Sequence, residues 1–449
     1  MLASIAAKNF KAFGENPGLD LSLSRLNLFL GQNNSGKTSA IDVLAVLAQT
    51  ARATSGVMGL RWSGELIDLG PTGEYALHNG VTNSILQVEA QIPAPANFLE
   101  SISQQLGLTT GLTLDIATIG YRLLIGPGAS TYKYEFLTNG HVLVRNLIRP
   151  VADRGNQAVL EIRGSENLGV SPVMPAASGG SIFNPTLFVA QNLDRNNPAH
   201  GLPLASLLMS QLGIEAVQQF LSSRVFLVSA SRGIQQRRLD DKFEIPDVGR
   251  NGQHTLQVLS AVFAKPQYRS AAAKIREWGQ VFGLCDVSSG WAGGRELTSG
   301  YTDPLSATPL PLHSAGFGSQ QILPVIVQLF ASPTDSLVVI EEPEICLHPA
   351  AQVDLVRMFV DAVRAGRQVV VTTHSQYLVM ALQEQVKRNI TAGDISVYHF
   401  SRDRNDSLAE KLPLDVDGVL RGWIPSFAKV ERELLSSWMS RVHDKLKED

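Results

Sequence analysis

Gly31-Gln32-Asn33-Asn34-Ser35-Gly36-Lys37-Thr38 satisfies the pattern G-x-x-x-x-G-K-[ST] at every fixed position. Its flanks decide the reading. Leu26-Asn27-Leu28-Phe29-Leu30 is a short apolar run that reads as a buried strand. Ser39 to Leu47 reads as a helix buried on most faces. Strand, glycine loop and helix together form the context in which this pattern holds phosphate. Gly31 and Gly36 let the backbone curl so that successive N–H groups point inward. The helix starting near Lys37 adds its positive end. Asn33, Asn34, Ser35 and Ser39 complete the cradle. Lys37 is placed to reach β- and γ-phosphates, and the Thr38 hydroxyl to bind Mg²⁺.

The rest of the chain bounds the class. A length of 449 residues suggests two or three domains, and 44% apolar residues supply a large core. With 38 basic against 41 acidic residues, no global attraction to nucleic acid is written in the composition, although a local basic groove stays open. The two cysteines, Cys285 and Cys346, lack metal-like spacing, which suits a reducing compartment and argues against zinc. The N-terminus has neither the apolar core nor the cleavage site of a signal peptide. No apolar run approaches the roughly 18 residues of a membrane span. The expectation is a soluble, cytoplasmic protein with no membrane partner.

Along the chain, Leu2–Asn9 and Leu19–Leu23 read as two strands of one sheet, turning at Asn16-Pro17-Gly18, followed by the loop strand. Ser84–Ile92, Gly111–Ile125, Thr131–Leu137 and His141–Leu147 read as an antiparallel meander, with a hairpin at Thr138-Asn139-Gly140. Residues 164–186 read as a loop or crossover, and 202–224 as helical. A buried strand returns at Arg224–Ala230, then helices at His254–Phe263 and Ser270–Phe282, then a loop-rich stretch over 288–312. From Ser319 onward helix and strand alternate, which implies a largely parallel sheet covered on both faces.

That second half carries three more motifs. Leu337-Val338-Val339-Ile340-Glu341-Glu342-Pro343-Glu344 is an apolar strand ending in carboxylates. Glu341 is placed to hold the water shell of Mg²⁺, and Glu342 to orient or deprotonate an attacking water. Val369-Val370-Val371-Thr372-Thr373-His374-Ser375 ends another apolar strand in a polar cluster. A neutral His374 there could contact a γ-phosphate or the water. His313-Ser314-Ala315-Gly316-Phe317-Gly318-Ser319 enters a helix, so Ser314 and Gly316 offer a second anion-binding surface.

These four elements, in this order, resemble the ATP-binding-cassette heads of the SMC and RecF type. The phosphate loop, the Ser-x-Gly signature (Ser314, Gly316), the acidic pair and the switch histidine match that pattern. Glu341-Glu342-Pro343-Glu344-Ile345-Cys346-Leu347-His348-Pro349 is similar to the D-E-P-E-x-x-L-H-P of the OLD family and related stand-alone ATPases of bacterial defence. Ser231-Arg232-Gly233 and Val248-Gly249-Arg250-Asn251-Gly252 also look familial. The resemblance implies an α/β P-loop NTPase of ABC/SMC-head type, with a mixed, largely parallel core sheet, an antiparallel β subdomain and helical insertions. It implies ATP and Mg²⁺ as cofactors, and hydrolysis to ADP and phosphate. Implied divisions are 1–53 and 224–400 for the head, 54–165 for the β-rich lobe, 166–223 for an insertion and 401–449 for a docking tail. Glu341 stands where the pattern has Asp, and Ala315 departs from Ser-Gly-Gly. The glutamine that senses Mg²⁺ in other cassettes has no assigned counterpart; Gln91 is a candidate left outside the site.

Asp415-Val416-Asp417-Gly418 has the form of a nuclease metal pair, but too few residues follow to build such a domain, and Asp-Gly is a common turn. No nuclease activity is expected of this chain alone. The resemblance implies a homodimer, or a higher oligomer of dimers, with ATP sandwiched between heads. The function expected is a dimerising switch: the sensor ATPase of an anti-phage system with a separately encoded effector, nuclease or toxin. The alternative is a RecF-like repair ATPase acting on DNA. Arg232 with Arg237-Arg238, and Arg145 with Arg149, read as ordinary surface charge or phosphate contacts.

Overall fold

Residues 26–31 form a strand in which every residue is buried. Its one polar side chain before the glycine is satisfied locally: the Asn27 amide donates to the carbonyls of Ser24 (2.8 Å) and Val369 (3.1 Å), and its oxygen accepts from Ser24 N (2.8 Å). The computed structural model describes residues 1–53, 60–71, 73–80, 86–107, 114–126, 132–151, 155–162, 174–175, 201–234, 247–292, 296–386, 388–404, 406–421 and 433–440. In chain order, β1 (Ser4–Lys8), β2 (Leu19–Ser22) and β3 (Leu26–Gly31) lead into α1 (Lys37–Arg52). There follow β4 (Leu86–Pro93), α2 (Phe98–Leu106), β5 (Thr118–Ile125), β6 (Tyr132–Thr138), β7 (His141–Val151), β8 (Gly155–Ile162) and β9 (Met174–Pro175). Then come α3 (Gly201–Ser223), β10 (Val225–Val228), α4 (Thr255–Ala264), α5 (Arg269–Val281), β11 (Cys285–Ala292), β12 (Glu296–Thr302) and β13 (Pro309–Pro311). The last part holds α6 (Phe317–Ala331), β14 (Leu337–Glu341), α7 (Pro349–Arg364), β15 (Gln368–Thr373), α8 (Gln376–Gln385), β16 (Ile395–Asp403) and β17 (Asp406–Leu412).

The central sheet has the order β10-β14-β15-β3-β16-β17. All its pairs are parallel except the last, β16 with β17. Strands β10, β14, β15 and β3 are buried along their whole length, as a sheet covered on both sides requires. Phe29, Val339, Val370 and Phe400 enter one core with α1 and the strands of a second sheet. Leu28, Leu30, Ile340, Val369 and Val371 enter the other core with the helices of the second half. Lying between two sheets, α1 is buried from Ser39 to Ala51. The second sheet is antiparallel, in the order β2-β1-β4-β5-β6-β7-β8-β9. Asn139 and Gly140 at its hairpin both have positive φ (50° and 76°), as a type I′ turn needs.

Several expectations change. The strands read at Leu2–Asn9 and Leu19–Leu23 do pair with each other, but in the antiparallel sheet; the loop strand after them belongs to the central one. Residues 288–312 are not loop-rich: β11, β12 and β13 form a third, antiparallel sheet. Ser, Gly and Thr dominate its strands, so propensity hides it; Val287 and Tyr301 anchor it in the helical core. The head sheet also runs past the division expected at 400, because β16 and β17 form its edge hairpin through Leu412. The loop read at 164–186 lies outside the described residues except for β9. In the expected docking tail, residues 433–440 are described and helical, with Leu434, Leu435, Trp438 and Met439 exposed. Among the described residues no helix is long and apolar enough to cross a membrane.

Candidate nucleotide-binding and hydrolysis site

The parallel strands carry their motifs to one edge of the sheet. β3 opens into the glycine loop, β14 ends at Glu341, and β15 ends one residue before His374. A cleft of about 730 Å³ results, lined among others by Asn33, Asn34, Ser35, Gly36, Lys37, Thr38, Ser39, Glu341, Glu342 and His374. The loop glycines are obligatory. Gly31 has φ 153°, and a Cβ there would stand 2.3 Å from the Phe400 carbonyl oxygen. Gly36, at φ 103°, would place its Cβ 2.8 Å from Ser407. The chain therefore passes too close to β16 and β17 for any side chain.

Lys37, His374 and Glu342 meet across the cleft. Lys37 Nζ donates to the carbonyls of Gly31 (2.8 Å) and Gln32 (3.1 Å) and lies 3.0 Å from His374 Nε2. Glu342 Oε1 is 3.2 Å from the same nitrogen and 4.0 Å from Lys37 Nζ. Burial, then the nearby Lys37 charge, hold His374 below its ordinary range, which favours the neutral imidazole. Burial also lowers Lys37, with the Glu342 and Glu344 carboxylates opposing it. Glu342 is pushed up to about 8, by burial first and then by the adjoining Glu344 carboxylate. Glu344 itself positions the histidine: its Oε1 accepts from Thr373 Oγ1 (2.5 Å) and from His374 N (2.9 Å).

Glu341 lines the same cleft as Thr38. Its carboxylate accepts from Arg250 Nη2 (3.2 Å). Burial raises its pKa, and Arg250 opposes that. The same guanidinium reaches Asp42 Oδ1 (3.4 Å), whose other oxygen takes Lys11 Nζ (2.5 Å), and donates to the Leu66 carbonyl.

These residues fit ATP and Mg²⁺. No side chain caps the first turn of α1, so its N–H groups are available to an anion. The buried Ser35 Oγ has no hydrogen-bond partner. The Thr38 hydroxyl and the Glu341 carboxylate are the hard oxygen donors Mg²⁺ prefers. Among the described residues no three His, Cys, Asp or Glu side chains are arranged to hold a metal ion by themselves. An ion here would draw its remaining ligands from phosphate and water.

Ser314 and Gly316 are not part of this chain's cleft. Ser314 is exposed and its hydroxyl donates to the Pro311 carbonyl (2.7 Å); Gly316 caps α6 with open space around it. Gln320 braces the signature by donating to the carbonyls of His313 and Ala315. Gln91 lies in β4, bonded to Glu89, away from the cleft. Asp415 is occupied by a turn, its Oδ1 accepting from the backbone N–H groups of Asp417 and Val419.

The surface reading of Arg232 is overturned. At 2% exposure it is among the most deeply buried large side chains. It donates to the carbonyls of Gln321 (2.8 Å), Ser229 (3.0 Å), Glu341 (2.7 Å) and Glu342 (3.2 Å). Burial lowers it to about 10. Arg145 is paired with Glu135 (2.8 Å), while Arg237 and Arg238 lie outside the described residues. Arg232, Arg250, Glu344 and Asp42 escaped the sequence reading as site residues, although Arg232 and Arg250 lie in the familial segments Ser231–Gly233 and Val248–Gly252, and Glu344 in the acidic motif.

Residues 214–381 match the family model described as "AAA domain, putative AbiEii toxin, Type IV TA system", which spans less than half the chain and excludes the glycine loop. No curated protein matches. Among solved structures, the chain is similar to an SMC head bound to the C-winged helix domain of ScpA, at 11% identity and TM-score 0.46, over 92% of this chain and 98% of that one. It is similar to the SMC head domain from Thermotoga maritima, at 11% identity and TM-score 0.41, over 92% and 99%. It is also similar to an Smc head with an extended coiled coil bound to the C-terminal domain of ScpA derived from Pyrococcus furiosus, at 11% identity and TM-score 0.43, over 96% and 99%. The glycine loop between β3 and α1 and the parallel order of the central sheet give the chain an α/β fold of P-loop NTPase type, with an antiparallel β subdomain and a helical lobe leading into α6.

Proposed function

We propose that this chain binds and hydrolyses ATP with Mg²⁺ and works as a dimerising switch. The observation that carries the reading is the convergence of Lys37, Glu342 and His374 over the glycine loop, with Thr38 and Glu341 lining the same cleft. In this reading the loop amides and Lys37 hold the phosphates, and Thr38 and Glu341 hold the ion, which neutralises phosphate charge when bound. Glu342 takes the proton of the attacking water as the bond to the γ-phosphorus forms and the bond to the ADP oxygen breaks. The finer proposal is a bacterial defence ATPase, related to the OLD type, that regulates a separately encoded effector. Two features support it: the matched family is described as part of a toxin–antitoxin system, and the described part of the tail exposes an apolar helix segment.

Lys37→Ala should abolish tight ATP binding in calorimetry, and Glu342→Gln should retain binding while slowing hydrolysis by at least about a hundredfold. Unchanged affinity in the first variant, or wild-type turnover in the second, would sink the assignment. For the switch, the product of a neighbouring gene should co-purify with this chain. Tight, steeply salt-dependent DNA binding by the chain alone would favour direct action on DNA instead.

A further inference from the structure

The strand order bears on where the rest of a nucleotide goes. β14 and β15, which bring Glu341, Glu342 and His374, flank the loop strand on one side; β16 and β17 flank it on the other. In the proposed reading the γ-phosphate faces Glu342 and His374. The nucleoside must then leave the glycine loop toward the β16–β17 flank. That flank is built tightly against the loop. Phe400 pairs with Gly31, and the Ser407 N–H donates to the Ala12 carbonyl (2.8 Å). Arg402 stands two residues past Phe400, so it projects from the same face of β16, the face that packs toward α1. It lines the cleft together with Ala12 and the glycine loop. It is exposed, and among the described residues it has no acidic partner.

We infer that Arg402 is a nucleotide-binding residue that receives the nucleoside end of the bound nucleotide, its guanidinium plane lying against the base, with Ala12 closing the same end of the cleft. This rests on the ATP-binding reading of the cleft. A planar cation suits the role: it stacks on the π face of a base, is weakly hydrated, and at the rim of a cleft leaves its edge in water. A stacked guanidinium tolerates any base, so the contact favours nucleoside phosphates over bare polyphosphate without choosing among the bases.

The test is calorimetry on the full chain with Mg-ATP and with Mg-tripolyphosphate, which carries the phosphates and no nucleoside. Arg402→Ala should weaken ATP binding about fivefold and leave tripolyphosphate binding unchanged. Arg402→Lys should behave like Arg402→Ala, because an ammonium keeps the charge and loses the plane. Equal weakening toward both ligands, with rescue by lysine, would overturn the assignment in favour of a phosphate contact. Unchanged ATP affinity in Arg402→Ala, with Lys37→Ala abolishing binding, would overturn it while leaving the nucleotide site standing. If Lys37→Ala also bound normally, the ATP reading itself would fail. Arg402 is exposed, and a matched thermal melt confirms that neither variant is unfolded.

Discussion

A carboxyl group buried beside a second carboxylate holds on to its proton, and Glu342 does so up to about 8. In the unfolded chain it ionises near its ordinary value of 4.5. The folded state therefore binds more protons between those values, and this group's contribution to stability is lost as pH rises through the window. Metal-free wild-type protein should melt at progressively lower temperature from pH 5 to pH 9. Glu342→Gln, neutral throughout, should show a smaller decline. Parallel curves for the two would mean that Glu342 is ionised in the folded protein. The same property suits a general base, whose pKa should lie near the working pH. Glu342 also has a φ of 45°, a conformation rare for a residue with a side chain. Its carbonyl is held there by Arg232 and its N–H by the Thr372 carbonyl (3.0 Å).

At the scale of elements, Arg232 ties three pieces of chain that local pairing leaves separate: the exit of β10, the helix α6 and the end of β14. Its four acceptors are all backbone carbonyls, three of them made through nitrogens buried with them. Removing the fork strands those carbonyls away from water, at about 1–3 kcal/mol for each group left unpaired. Arg232→Met keeps the apolar stem and should lower stability by about 3 kcal/mol, read as a shift of the urea midpoint. A shift below about 0.5 kcal/mol, the size of an ordinary surface change, would show that the buried bonds contribute little. The contact of α6 with the acidic loop is equally close: a Cβ on Gly318 would stand 2.6 Å from the Cys346 carbonyl oxygen. α6 is thus packed directly against the loop that carries Glu342 and Glu344.

For the whole molecule, the decisive point is that Ser314 and Gly316 lie outside the cleft of their own chain. If they bind phosphate, they do so on a partner's nucleotide, and two-fold symmetry makes both contacts equivalent. Lys37→Ala and Gly316→Asp should then each be inactive alone. Mixed, with subunits exchanging freely, they should regain roughly a quarter of wild-type hydrolysis, from one working site in half the dimers. Coupling between sites would reduce that value, so the decisive result is a clear rise above both parents. Exchange without any recovery would rule against a shared site, and full activity of Gly316→Asp alone would remove the signature from the mechanism.

Local sequence determined what depends on neighbours along the chain. The glycine loop is legible because its backbone geometry admits only glycine at two positions, and the strands β3, β14 and β15 because they are apolar on both faces. The alternating strands of the β-rich lobe and the turn at Asn139-Gly140 follow from the same local rules. Tertiary structure decided the rest. β11 to β13 are held by packing against helices that lie earlier in the chain, and their Ser-, Gly- and Thr-rich strands show little preference of their own. The β16–β17 hairpin acquires its meaning only by pairing with β3, more than three hundred residues away in the chain. Arg232 reads as surface charge until its four carbonyl partners are assembled around it, because burial of a cation is a property of the surroundings that satisfy it.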